Sequence, residues 1–333
     1  MTAPTSPPPS DPPEARIRLH ALRADGPLVV QDGAAVERLP ALLAEPDSFV
    51  WVDLDRPSPA QVEAVGIAAR LHPLIVEDVL EGDQRAKIET TDGDVLIVLF
   101  ALRRDAATGF AAVEVSIVIR DGFLMTVHDG SWDPFASHHL QRGVDVVLRG
   151  GAGHLLWAIS DDIVDRYFPV LDAIGDEIDA IQDAVVGGAT PETLERLFDL
   201  KRQLIRMRRA VGPIREVFNQ LTDRDTPGID PAELVYLRDV YDHVIRLTDE
   251  LDSFRELAAA TLDVYLTQVN NDLSRIMKRL TGVTVLLAGV GAIAGLFGMS
   301  EARVEAGSFW LVTAGIVGLA GAALVALRRI GWI

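Results

Sequence analysis

Two uncharged runs close this chain, and no other feature limits its fold so sharply. The first extends over residues 281–299 and the second over residues 306–327. Each is about twenty residues long, so as a helix rising about 1.5 Å per residue each crosses the roughly 30 Å hydrocarbon layer once. Lipid offers no partner for an open N–H or C=O group, so a spanning segment must satisfy its own backbone as a helix. A pair of buried core helices in a soluble protein would share this composition, but the flanks oppose that reading. Arg275, Lys278 and Arg279 precede the first run, and Arg328 and Arg329 open the tail 328–333, whereas the turn 300–305 carries Glu301, Arg303 and Glu305. Positive charge at both outer ends places the two termini in the cytoplasm and residues 300–305 in a short external loop. The expectation is a multi-pass protein of the inner cell membrane with a large internal portion.

The first run carries a second pattern. Ser274, Met277, Thr281, Thr284, Ala288, Gly291 and Gly295 recur at alternating steps of three and four, the spacing of one seam on a bundled helix. Val283, Val285, Leu286, Leu287, Ile293 and Leu296 occupy the other faces, suited to lipid or a neighbouring helix. A stripe of small and hydroxyl residues serves close helix–helix packing. It also serves as the wall of a narrow polar passage, if several copies turn it toward a common axis. One hairpin cannot enclose a pore, so the second meaning requires an oligomer.

The chain has 333 residues and a formal net charge of −18. That balance disfavours nucleic acid or an anionic lipid surface as partner and suits a handler of cations. With no cysteine, a disulfide framework and a thiolate metal site are excluded. Residues 1–14 hold Pro4, Pro7, Pro8, Pro9, Pro12 and Pro13 and little to bury, which reads as a disordered tail without the apolar core of a signal peptide. Residues 15–130 read as an α/β domain. Strand-like stretches occur at Phe49–Leu54, Val95–Leu102, Val113–Ile119 and Phe123–Val127, with helical ones at Pro59–Leu71 and Leu74–Leu80. The chain has no GxGxxG, phosphate loop or GxSxG, so no enzyme is expected. The pair His138-His139 reads as solvated surface, since neighbouring side chains on a helix do not converge on one ion.

Residues 131–280 read as helical. Leu155–Val186, Pro191–Asp223 and Pro231–Leu280 show helical periodicity, separated by Gly187-Gly188 and Pro227-Gly228. No stop separates the last from the first uncharged run, so one helix of about 100 Å is expected over 231–299, at about 1.5 Å per residue. Such a rod needs partners, which a parallel bundle supplies. The fold class is an α+β membrane protein: an α/β domain, a long helical stalk and a C-terminal two-helix transmembrane hairpin.

Several stretches resemble the CorA-type divalent-cation transporters. His72-Pro73-Leu74-Ile75-Val76-Glu77-Asp78-Val79-Leu80, with Gln84-Arg85 and Lys87-Ile88-Glu89 behind it, is similar to that family's amino-terminal signature. Tyr236-Leu237-Arg238-Asp239-Val240-Tyr241-Asp242-His243 and Leu262-Asp263-Val264-Tyr265-Leu266 resemble its stalk helix. Met277-Lys278-Arg279-Leu280-Thr281, Gly298-Met299 and the closing Gly331-Trp332-Ile333 resemble its pore helix, pore mouth and carboxyl end. The resemblance implies a funnel-shaped homopentamer in the lipid bilayer, with the first membrane helix of each chain lining the pore. It implies that Ser274, Thr281, Thr284, Ala288, Gly291, Gly295, Gly298, Met299 and Ser300 face the passage. Met277 and Leu280 would form a hydrophobic gate, and Asp263 a carboxylate ring at the pore mouth. Asp78, with Glu77, and Asp239 match the inter-subunit position that senses regulatory Mg2+. Acids of adjacent chains repel unless a divalent ion lies between them, so such a site closes the funnel while internal metal is plentiful.

Two departures bear on the ion. The family's Gly-Met-Asn stands here as Gly298-Met299-Ser300, and Ala288 is smaller than the constriction usual in relatives. Mg2+ dehydrates reluctantly, and serine offers its hydrated form a shorter arm than an amide, with Glu301 and Glu305 nearby to attract it. The expectation is a route for Mg2+, with Co2+ or Ni2+ as further cargo, gated by cytoplasmic Mg2+. A zinc carrier like ZntB, with the same architecture, and a non-conducting membrane-anchored metal sensor or scaffold stand as alternatives.

Overall fold

The computed structural model describes residues 15–82, 84–105, 109–223, 225–298 and 306–329. The tail 1–14, Met299, Ser300, the turn and the closing Gly331-Trp332-Ile333 lie outside these residues. The chain divides into two compact units: Met1–Asp179 with Phe198–Ala258, and Ala180–Leu197 with Ala259–Ile333.

The first unit is built on a seven-stranded sheet. Its strands are β1 (Arg16–Arg23), β2 (Gly26–Gln31), β3 (Phe49–Asp55), β4 (Lys87–Thr91), β5 (Asp94–Asp105), β6 (Gly109–Arg120) and β7 (Phe123–His128), in the order β2-β1-β3-β7-β6-β5-β4. All pairs are antiparallel except β3 with β7, where Val50 to Asp55 run beside Phe123 to His128. Every residue of β3 is buried, so both faces of the sheet are covered. One face carries α1 (Gly33–Leu43), α2 (Pro59–Ala69) and α3 (Pro73–Glu81), whose Leu39, Val62, Val65, Ile75 and Val79 meet Leu19, Val52, Leu96, Val118 and Met125. Against β5 on the sheet packs α6 (Gly151–Asp165).

Local signals explain the helix starts. Pro59 opens α2 behind a capping box in which Ser58 and Gln61 exchange hydrogen bonds. Pro73 opens α3, and the Nδ1 atom of His72 accepts a hydrogen bond from the Leu74 N–H at 3.3 Å. The Asp94 carboxylate accepts from the His72 N–H at 2.8 Å, tying that cap to the sheet.

Beyond the sheet come α4 (His138–Gln141), α5 (Val144–Leu148), α6 and α7 (Phe168–Gly187). The single helical stretch expected over Leu155–Val186 is thus broken at Arg166 and Tyr167. Pro169 has no N–H for the Asp165 carbonyl, so a continuous helix would lose a bond there. Tyr167 fills the gap, buried, with its hydroxyl donating to the Phe100 carbonyl at 2.6 Å. Two long helices follow: α8 (Pro191–Asp223), which absorbs Pro213, and α9 (Leu234–Gly298), an unbroken helix of 65 residues. In the second unit, α10 (Ala306–Arg329) and α9 together line an apolar groove formed by Leu286, Val290 and Ile293 with Ile316, Ala320 and Ala323. Among the described residues one helix, Leu234–Gly295, is long and apolar enough to cross a membrane, and almost none of its apolar stretch is buried.

A charged network lies inside the sheet. Asp53 on β3 is fully buried and accepts from Thr126 Oγ1 at 2.6 Å and from Arg18 Nη2 at 2.7 Å, with His128 Nε2 at 3.2 Å. Burial alone would raise its pKa. The hydrogen bond and charge of His128, the charge of Arg18 and the Thr126 bond outweigh that and hold it below the ordinary value. A depressed carboxylate contributes stability that is present above the ordinary pKa and lost as pH falls through the lowered one. Asp53→Asn, which leaves Arg18 and His128 facing a neutral amide, is therefore expected to cost about 3–5 kcal/mol near neutrality. In pH-resolved thermal melts of the full protein, the gap to wild type should narrow below about pH 4; a constant gap contradicts the assignment.

The turn between α8 and α9 supplies a second test. Gly228 has φ +79°, and a Cβ there would stand 2.8 Å from the Arg120 carbonyl carbon, a backbone atom that cannot rotate away. Gly228→Ala should cost at least about 1–3 kcal/mol. Gly212 inside α8 has no heavy atom within 4 Å of such a Cβ. Gly212→Ala should instead stabilise by about 0.8–1 kcal/mol. Paired melts that fail to separate the two variants in sign would refute this account of the turn.

Candidate ion passage and metal-sensing acids

The candidate passage residues are set by the pitch of α9. Up to Ala258 this helix buries Leu237, Val240, Val244, Leu247, Leu251 and Ala258, a seam at steps of three, four and seven. Beyond Tyr265 the seam stops. Ser274, Met277, Leu280, Thr281, Thr284, Ala288, Gly291 and Gly295 are all exposed. The groove shared with α10 uses a different stripe, Leu286, Val290 and Ile293, which are half-buried. The chain's own second apolar helix therefore leaves the small-residue stripe open. A Cβ added at Gly291 or Gly295 meets no heavy atom within 4 Å. Met277 and Leu280 are 53% and 58% exposed, so any constriction they form needs other copies. Thr284 donates its hydroxyl hydrogen to the Leu280 carbonyl at 2.8 Å, turning its oxygen lone pairs outward. Gly298 ends α9.

The candidate sensing acids lie on α3 and α9. Glu77 and Asp239 are exposed, as is Asp263 farther along α9. Asp78 is half-buried, and its Oδ2 accepts from Lys87 Nζ at 2.8 Å, while Lys87 also reaches Glu89 at 3.0 Å. The Lys87 hydrogen bond, partly opposed by burial, holds the Asp78 carboxyl below its usual range. Among the described residues, Glu77, Asp78 and Asp239 do not gather into one cluster within a chain. A metal bridging Asp78 to another copy must first compete with Lys87.

One cluster was read differently from the sequence. His139 is not solvated surface: it is half-buried, its Nε2 lies 2.8 Å from Asp161 Oδ2, and its ring packs on Trp157 at 4.3 Å between centroids. His138 remains exposed, but its ring centroid stands 3.7 Å from that of His139. The third group, Asp161, lies on α6 and not on their own helix, and the ligand atoms of all three lie within 4.8 Å of one another. The separation of 22 residues between His139 and Asp161 hides this from any local pattern.

Comparison with known proteins identifies the family of this chain. Residues 46–329 match the family described as CorA-like Mg2+ transporter protein. The cobalt/magnesium transport protein CorA of Thermotoga maritima is 34% identical over 243 residues, which are 72% of this chain and 69% of that protein. The complete structure of the CorA magnesium transporter from Methanocaldococcus jannaschii superposes with a TM-score of 0.79 at 21% identity, covering 95% of this chain and 98% of that one. The full-length CmaX protein gives 0.74 at 20% identity, covering 96% and 98%. These two likenesses carry the fold. With 46–329 of 333 residues inside the match, the chain belongs to the CorA-like Mg2+ transporter family, whose members are membrane transporters and not enzymes.

Proposed function

We propose that this chain forms a homopentamer in the inner membrane that conducts Mg2+ into the cell, with Co2+ and Ni2+ as further cargo. In this reading α9 of each copy lines the passage and α10 packs outside it, giving a two-helix hairpin with both termini cytoplasmic. One observation carries the proposal: the stripe from Ser274 to Gly295 is left uncovered by α10, which uses Leu286, Val290 and Ile293 instead. Met277 and Leu280 close the inner end by excluding water. Asp263 and Ser274 form the cytoplasmic mouth, and Gly298, Met299 and Ser300 the outer one. The membrane potential suffices as driving force, since a double charge gains about 4.6 kcal/mol per 100 mV, from about 2.3 per elementary charge.

Regulation rests on Asp78, Glu77 and Asp239 of adjacent copies. Internal Mg2+ bridging them holds the closed form, and its loss frees the carboxylates to repel. The alternatives, a zinc carrier or a non-conducting sensor, are separated from this reading by flux. In liposomes holding the purified protein, Mg2+ uptake should proceed without a pH step. A strict requirement for one favours the zinc carrier, and no uptake of any divalent ion favours the sensor.

Gly291→Phe should lower Mg2+ flux at least tenfold while leaving the oligomer intact on size exclusion, because the added ring enters open space in the single chain. An assembled variant conducting at the wild-type rate would show that the stripe is only packing. Asp239→Ala should weaken inhibition by internal Mg2+, moving the midpoint upward at least fivefold, the lower end of ordinary coupling. An unchanged midpoint removes the sensing assignment.

A further inference from the structure

The α6 helix sets three acids, Asp161, Asp162 and Asp165, within about one turn. Asp162 is balanced: Arg166 Nε donates to it at 2.8 Å and Trp132 Nε1 at 2.9 Å. Asp161 is buried and, among the described residues, its ion-pairing partners are imidazoles alone. Its Oδ2 meets His139 Nε2 at 2.8 Å, and its Oδ1 lies 3.9 Å from His243 Nδ1, a buried atom with no hydrogen-bond partner. A carboxylate removed from water is costly unless a cation answers it. His138, His139 and Asp161 each offer a ligand atom, and these atoms all lie within 4.8 Å of one another.

We propose that His138, His139 and Asp161 bind a divalent transition ion, with Zn2+ as the best fit. The donor set carries the class. Imidazole nitrogen suits zinc, cobalt and nickel, whereas Mg2+ demands octahedral oxygen and keeps its water. Two nitrogens and one carboxylate oxygen with a remaining open position match a tetrahedral zinc site completed by water. Zinc bonds of about 2.0–2.1 Å set ligand atoms about 3.3 Å apart. The His139–Asp161 contact thus opens by a few tenths of an ångström, and the exposed His138 ring turns in. The His139 ring is already held, tilted against Trp157, which also packs against His154 at 4.8 Å and Tyr236 at 5.1 Å. Such packing fixes ligand orientation before the ion arrives. The site lies apart from Asp78 and Asp239 in its donors, and it gives the protein a means of telling a transition ion from Mg2+.

The test reads metal binding directly, so it stands independently of transport. The full protein in detergent, stripped of metal, is titrated with ZnCl2 in the presence of millimolar MgCl2 by calorimetry. The expected result is about one Zn2+ per chain that Mg2+ does not displace. His138→Ala combined with His139→Gln, which keeps an N–H facing Asp161, should weaken it at least tenfold. Wild-type protein loaded with Co2+ should show a visible ligand-field band that the double variant loses. His138→Ala alone, at an exposed position, keeps the test open if the double variant misfolds, and should still weaken zinc measurably. Absence of a Mg2+-resistant zinc site, or zinc affinity unchanged by the histidine substitutions, overturns the proposal.

Discussion

Everything in this chain depends on the unbroken hydrogen bonding of α9. From Leu234 to Gly298 no proline interrupts the ladder, so each N–H and C=O inside it finds its partner within the same segment. That self-sufficiency allows one rod to begin against protein and end where protein offers it almost nothing. Leu237, Val240, Val244, Leu247 and Leu251 are buried, while from Leu266 to Gly295 nearly every residue is exposed. A helix in water survives mainly by packing an apolar face. The exposed portion carries Val283, Val285 and Leu287, apolar side chains that call for lipid or further protein against those faces. The charges agree: Arg275, Lys278 and Arg279 stand where the two environments meet.

How much of this was legible depended on the range of the signal. The long helix, expected over 231–299 and found at Leu234–Gly298, was written in a periodicity that no glycine or proline interrupts for dozens of residues. The strands Phe49–Asp55, Asp94–Asp105, Gly109–Arg120 and Phe123–His128 were found within a few residues at each end, because largely buried strands read as dense Val, Ile and Phe. β1, β2 and β4 escaped. Their exposed faces dilute the apolar signal, and β4, Lys-Ile-Glu-Thr-Thr, has no buried residue. The break at Tyr167 was missed because apolar spacing continues across it, although Pro169 marks it locally.

Site residues were legible in proportion to their dependence on one helix. The stripe of α9 follows from spacing alone, and the structure adds which stripe α10 leaves open. Asp78 was identified only through resemblance, and its partner Lys87 opens β4 nine residues later, a step that helical spacing does not join. The cluster at Asp161 was illegible for a stronger reason. Its donors come from α4 and α6, and the geometric rule that separates neighbouring side chains on one helix says nothing about a third residue on another helix.

The chemistry of the α9 stripe can be set against what an approaching cation presents. A hydrated Mg2+ turns the hydrogens of its waters outward, so a wall that guides it must accept hydrogen bonds and not donate them. A free hydroxyl does either. Thr284 has its hydrogen committed to the Leu280 carbonyl at 2.8 Å, which leaves acceptor lone pairs on the outer side. Gly291 and Gly295 add nothing that obstructs a large hydrated ion, and neither is filled by a neighbour in the chain. Met277 and Leu280 offer the reverse: apolar side chains, half exposed, that give water no partner. One helix face thus passes from a dry section to an acceptor-lined section and then to bare backbone. On the proposed reading, that sequence of surfaces accounts for a stripe that mixes methionine, threonine and glycine at one spacing, where close packing alone would call for small residues throughout.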